Sequence, residues 1–220
     1  LRLLWSKRAW NLLQLLRSGR PGGFQYTLGF ATALLDQASL DPHQPLELLS
    51  IYPFLPAHPW PDPWRVAFYI DATTRQVFDD YATGHRIAES VKQQALQREQ
   101  AAYAHAVAVV CRSQWAADSV ISEYGIDPSR VHVVPGGANL DEVQLAQVLP
   151  TPAPPPPSAE QPLRLGFLGK DWRRKGGPFL LQLADALGER SIPTVIRAIG
   201  PTPAQLPAHP ALHPLGFINK

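Results

Sequence analysis

The sequence predicts an α/β protein made of two units, each built on a parallel sheet. Three observations carry that expectation. Apolar runs of strand length alternate with segments of helical spacing, each run stops at a polar or glycine-containing turn, and a proline-rich stretch separates two such series. Alternation of strand and helix makes each connection a crossover, and crossovers leave neighbouring strands parallel.

Residues 1–20 open the chain with Leu, Trp and Ala at helical spacing over one broad arc. Arg2, Lys7, Arg8, Arg17 and Arg20 occur there without an acidic residue. Two readings stand: a surface helix packed on a sheet, or a helix lying on an anionic membrane surface. Residues 46–52 read as a short buried strand. The Pro/Trp-rich stretch 53–64 reads as irregular, because proline removes a donor and restricts its predecessor.

Residues 66–70 (Val-Ala-Phe-Tyr-Ile) form a continuous apolar run ending at Asp71. Strands apolar on both faces suit a parallel sheet covered by helices. A helix is expected over 87–103, with its Glu, Gln and Lys residues outward. A further strand follows at 106–110, and Cys111 ends it as a buried structural thiol. Ser113 is placed to cap a helix over 114–124 that Gly125 terminates. The strand 131–134 then runs into Pro135-Gly-Gly-Ala-Asn139.

Residues 150–162 read as a stiff, extended proline-rich linker. Beyond it the spacing predicts a strand over 163–168, a helix over 178–187 and strands over 194–199 and 212–217. The expected division is therefore a first unit over 1–149, the linker over 150–162 and a second unit over 163–220, with a cleft between the units. In doubly wound sheets ligands sit beyond the carboxyl ends of the strands. Asp71, Ser113 and the stretch from Gly136 to Asn139 all lie at such ends.

The most informative stretch is 165–177, Leu-Gly-Phe-Leu-Gly-Lys-Asp-Trp-Arg-Arg-Lys-Gly-Gly. A strand ends at Gly169, a cationic turn carries Lys170, Arg173, Arg174 and Lys175, and a glycine pair opens a helix. Helix-start amides attract anions and glycine allows close approach to the backbone, so the pattern fits a nucleoside diphosphate held between Lys170 and Lys175. A solvated basic loop with a glycine cap would show the same residues.

Composition narrows the classes. A net charge of only +2, with no basic-aromatic stripe, argues against a nucleic-acid partner. One cysteine excludes an internal disulfide and fits a reducing compartment, so the expected location is the cytoplasm, with peripheral contact at the inner face of a membrane through residues 1–20. No apolar run has the length of a membrane span. The seven histidines show no metal-ligand spacing. The sequence has no methionine and opens inside a helical pattern, so it reads as a fragment truncated at both ends.

Residues 108–139 carry a resemblance. A strand followed by Ser113, a helix, the step Gly-Ile-Asp-Pro-Ser-Arg-Val and the turn Val-Pro-Gly-Gly are similar to the end of the N-terminal domain in GT-B glycosyltransferases of the group 1, or family-4, type. The stretch 165–177 resembles the start of their C-terminal domain. The resemblance implies two Rossmann-like domains of GT-B type, the N-terminal one partial and the C-terminal one only begun.

It also implies a hexosyltransferase-like enzyme moving sugar from a nucleoside-diphosphate sugar to a glycan, lipid or small-molecule acceptor, with retention, without metal, and with no cofactor beyond the donor substrate. Lys175 and Gly176 match the family's diphosphate-gripping lysine and its glycine. Lys170 stands where arginine is usual, keeping the charge but losing the bidentate fork; Arg173 or Arg174 can compensate. With Gly169 these residues make the implied donor-diphosphate site. Ser113, Gly137 and Asn139 are implied to line the cleft, Gly137 as the turn glycine. Asp71 ends the strand whose tip carries a histidine or aspartate near the transferred sugar in many relatives, and is the implied catalytic group.

The family's glycine-rich first turn and its Glu-x7-Glu motif are not in the sequence, and are expected before Leu1 and after Lys220. Two other readings remain: a GT-B nucleotide-sugar epimerase, and a non-catalytic nucleotide-binding or membrane-surface module.

Overall fold

The computed structural model of the chain describes residues 2–53, 55–81, 83–137, 141–143 and 155–218. It divides into two compact units, Leu1–Asn139 and Leu140–Lys220. Both are α/β with parallel sheets in a Rossmann-like arrangement.

In the first unit, β1 (Leu46–Ser50), β2 (Trp64–Ile70), β3 (Ala108–Cys111) and β4 (Val131–Val133) form a sheet in sequence order. All three pairings are parallel, with Ile70 opposite Cys111 and Cys111 opposite Val133. The helices are α1 (Arg2–Ser18), α2 (Leu28–Ala38), α3 (Thr74–Asp79), α4 (Glu89–His105) and α5 (Gln114–Ser122). Val66, Phe68 and Ile70 of β2 pack with Val109 and Cys111 against Ala102 and Tyr103 of α4 and Ala116, Ala117 and Val120 of α5. Burying these side chains supplies the main driving force for this unit. A second apolar cluster joins Tyr26, Phe78, Ile87, Val91 and Ala95, with Trp10 of α1 at its edge.

Several boundaries differ from the sequence reading. Residues 46–52 do not form a buried strand: among the described residues β1 lies at the edge of its sheet, and Leu49 and Ile51 are 62% and 69% exposed. An edge strand lacks a neighbour on one side, so only the residues turned toward the core are sheltered. The apolar run at 66–70 alternates in burial instead of being covered on both faces. The helix expected from Ile87 begins at Glu89, and β3 begins at Ala108, because the Ala106 amide still caps α4 on the Ala102 and Tyr103 carbonyls. Helix α5 ends at Ser122, and Gly125 (φ 68°) follows in the left-handed region that glycine adopts without strain. Helices α2 and α3 are additions to the reading; each starts at a threonine whose hydroxyl accepts a backbone N–H, Thr27 and Thr73 respectively.

In the second unit, β5 (Leu163–Leu168), α6 (Gly177–Glu189), β6 (Thr194–Ile199) and β7 (Leu212–Gly216) make a three-stranded parallel sheet in sequence order. Its core is small: Phe167, Trp172, Ala184, Ile196, Ala198 and Leu212. Among the described residues no helix is long and apolar enough to cross a membrane.

Candidate functional site

The carboxyl end of the second sheet is finished by glycines. The Gly169 amide donates to the Ile199 carbonyl at 3.0 Å, and the Gly200 amide donates to the Gly216 carbonyl at 2.8 Å. A Cβ on Gly200 (φ 113°) would lie 2.6 Å from the Gly169 carbonyl oxygen, so the ends of β5 and β6 touch backbone to backbone. The cationic loop rises from this platform.

The loop is wound tightly on itself. Asp171 accepts the Arg174 amide on its carboxylate (3.0 Å) and the Lys175 amide on its carbonyl (3.1 Å). The Arg173 carbonyl accepts from Gly176 at 3.1 Å and the Trp172 carbonyl from Gly177 at 2.8 Å. Trp172 is buried against Phe167, ring centroids 4.7 Å apart, and anchors the loop in the core.

The glycine pair therefore has two separate tasks. Gly176 (φ 79°) supplies the left-handed turn at the start of α6, with open space where a Cβ would project. At Gly177 the same space is filled by the Trp172 ring, 2.1 Å from an added Cβ, so this glycine receives an indole and not a phosphate. The helix-start amides also find partners within the protein. Gly177 and Phe179 donate to the Trp172 and Gly176 carbonyls, and Pro178 has no N–H. The described amides at the start of α6 are thus used within the loop and the helix.

Those cations divide. The stem of Lys175 lies over Gly169, its Cγ 3.1 Å from an added Cβ there. Lys170 places its Nζ 5.6 Å from the centre of the Phe217 ring, within cation–π range. Arg174 reaches Asp171, Nε to Oδ2 3.9 Å, with both side chains about half exposed. Lys170 and Arg173, together with Trp172, Pro178, Leu181 and Leu206, line an open depression of ≈ 970 Å³ between this loop and the turn after β6. The structure thus brings Gly169, Lys170, Arg174, Lys175 and Gly176 together on one loop, with Lys175 off the wall of that depression.

In the first unit, Asp71 directly follows β2 and is exposed. It is not the helix cap of this turn; Thr73 is, in a reciprocal pair with Gln76. Ser113 follows β3 and caps α5, accepting the Ala116 amide at 3.3 Å. Gly137 has open space around its Cβ position; the close approach falls on Gly136, against which the Arg112 guanidinium packs. Asn139 lies outside the described residues. Asp71 and Ser113 therefore share the carboxyl end of this sheet.

The sequence reading missed one buried network. Glu99, taken as outward, is 0% exposed. Its carboxylate accepts the Thr74 amide (2.9 and 3.1 Å to the two oxygens), the Tyr103 hydroxyl (2.8 Å) and the Tyr124 hydroxyl. Burial pushes its pKa up to about 7, and these donors pull against that shift. The signal was present: Glu99 falls on the stripe of Val91, Ala95 and Ala102 that α4 buries. Cys111 is buried as expected, and burial pushes its thiol up to about 11.

Residues 49–142 match the model of the family described as Glycosyltransferase Family 4. No curated protein matches the chain. The family match and the parallel-stranded α/β units fit a GT-B glycosyltransferase. The matched segment contains Asp71, Ser113 and Gly137 and ends before the cationic loop.

Proposed function

We propose that this chain is part of a glycosyltransferase that moves a sugar from a nucleoside-diphosphate sugar to an acceptor, with residues 1–149 as the acceptor-side domain, 150–162 as the linker and 163–220 as the start of the donor domain. The single observation behind the proposal is the family match over 49–142, extended by a cationic loop at the carboxyl end of β5. In the reaction the bond between the anomeric carbon and the diphosphate oxygen breaks, and the acceptor oxygen forms the new glycosidic bond and loses its proton. Negative charge accumulates on the leaving diphosphate. Fixed cations that meet this charge lower the barrier because they need no reorganisation as it develops. Lys175 and Lys170 are assigned that task, with Arg173 and Arg174 beside them. Asp71 orients the sugar at the anomeric centre, and the transfer proceeds with retention and without a metal ion.

Charge-assisted hydrogen bonds contribute roughly 1.5–3 kcal/mol each. Lys175→Ala in the full-length protein is therefore expected to weaken binding of UDP, GDP or ADP by about tenfold to a hundredfold in calorimetry, with Lys175→Arg close to wild type. Equal affinity of wild type and Lys175→Ala for whichever diphosphate binds would remove the donor-site argument.

A second reading, action at a membrane surface, has its own observation. Leu12, Leu13, Leu15 and Leu16 of α1 are 49–76% exposed, whereas Trp10 and Gln14 face the protein. At helical spacing the four leucines form one arc, with Arg8 on it and Arg17 at its margin. Such an arc suits an acceptor presented at an anionic lipid surface.

A further inference from the structure

A carboxylate with no access to water is an expensive group to keep, and Glu99 lies where its cost has a purpose. Helix α3 begins three residues after Asp71, at the carboxyl end of β2. The first amides of a helix lack partners within it and ordinarily point toward solvent or ligand. Here they are held from inside: the Thr74 amide by both oxygens of Glu99, and the Arg75 amide by the Tyr124 hydroxyl at 3.2 Å. The Tyr124 hydroxyl in turn donates to Glu99. Thr73 adds a contact to Ser119 of α5 (2.9 Å), and the Gln76 amide group donates to the Trp115 carbonyl at 2.9 Å. Thr73 and Thr74 are 0% and 2% exposed, while Asp71, two positions earlier, is open to solvent.

We infer that Glu99 is the positioning residue of the turn that carries Asp71: its carboxylate, seated beneath the β2–α3 junction, clamps the start of α3 and so fixes the tip of β2. The functional weight of this inference rests on the reading of Asp71 as the group beside the transferred sugar. Burial disfavours the ionised carboxylate more than the Thr74, Tyr103 and Tyr124 donors favour it, so the closed clamp holds the Glu99 proton more tightly than a solvated carboxyl group does. The clamp therefore weakens as pH rises toward the Glu99 titration near 7, because ionisation favours the opened, solvated carboxylate. The groups facing it are Tyr103 on its own helix, Tyr124 after α5, Thr74 of α3, and Tyr26, whose phenol is raised in part by the Glu99 charge; the Arg75 amide is reached through the Tyr124 hydroxyl. Cys111 lies beyond Tyr103, and Glu123 is reached through Ser119 and Thr73.

Peptide-resolved hydrogen exchange of the full-length protein from pH 6 to 8, corrected for intrinsic rates, tests the clamp. Wild type is expected to lose about tenfold protection over residues 72–76 as pH rises from 6 to 8, while Glu99→Gln shows no step. Tyr124→Phe keeps the carboxylate and loses one stabilising donor, so its step is expected at higher pH; this variant decides the matter if Glu99→Gln does not fold. Protection of 72–76 that runs parallel in wild type and Glu99→Gln across this pH range, or an unshifted step in Tyr124→Phe, would overturn the inference. Asp71→Asn separates the two claims: full transfer activity with an intact wild-type pH step would refute the role of Asp71 and leave the clamp standing.

Discussion

Adding one methyl group at Gly177 tests the reasoning about the cationic loop most directly. A Cβ there would lie 2.1–2.4 Å from three atoms of the Trp172 ring, whereas ordinary contact begins near 3.4 Å. The indole must retreat by roughly 1 Å or more, and it packs with Phe167 in a core of six buried residues. Overpacking of this kind costs about 1–3 kcal/mol, a large part of what so small a core supplies.

Two neighbouring glycines provide the scale. Gly176→Ala meets open space but must keep φ 79°, so it is expected to cost about 1–2 kcal/mol from backbone strain alone. Gly188→Ala, in α6 with nothing near its Cβ position, is expected to stabilise by about 0.4–1 kcal/mol. Urea unfolding of the full-length protein, read by hydrogen exchange in β5 and β6, ranks the three. Trp172→Leu in the same chain should relieve part of the Gly177→Ala penalty, since the two residues share one contact. Gly177→Ala as mild as Gly188→Ala would show that the indole does not seat the loop.

Replacing Arg8 and Arg17 with glutamine is expected to abolish sedimentation with phosphatidylserine-containing vesicles at low salt, at about 1 kcal/mol per basic residue, while Leu12→Ser with Leu16→Ser weakens it at any salt; binding unchanged in both would leave α1 as a packing element. Glu99 is also expected to set a pH slope in stability. Its folded pKa of about 7 lies above the ordinary carboxyl value of 4.5, so the folded state holds the proton more tightly, and stability is highest below pH 4.5 and falls as pH rises through 7. The shift corresponds to a loss of up to about 3 kcal/mol relative to Glu99→Gln, and parallel stability profiles of the two proteins from pH 4.5 to 8 would contradict it.

Much of the architecture was legible locally. Strands β2, β3, β5 and β6, the Ser113 cap and the Gly125 terminator each follow from a few adjacent residues, because backbone periodicity and capping are short-range effects. The position of the cationic loop followed too, since glycine and charge mark a strand-to-helix turn whatever surrounds it. Helix α3 escaped notice because six residues give too little periodicity, although its Thr73–Gln76 pair was in view.

Tertiary structure decided what each residue in those places does. Gly176 and Gly177 are adjacent and identical in sequence; only the indole of Trp172, folded back over the turn, assigns one to backbone conformation and the other to packing. Gly136 and Gly137 are likewise distinguished only by the Arg112 side chain from the end of β3. Glu99 reads as one more polar residue of a polar helix until Thr74, twenty-five positions earlier, and Tyr124, twenty-five later, close around it. Sequence patterns record which backbone conformations are favourable, a property of neighbours along the chain. Whether a carboxylate is solvated or clamped, and whether a glycine's empty side is open or filled, depends on atoms that only folding brings within reach.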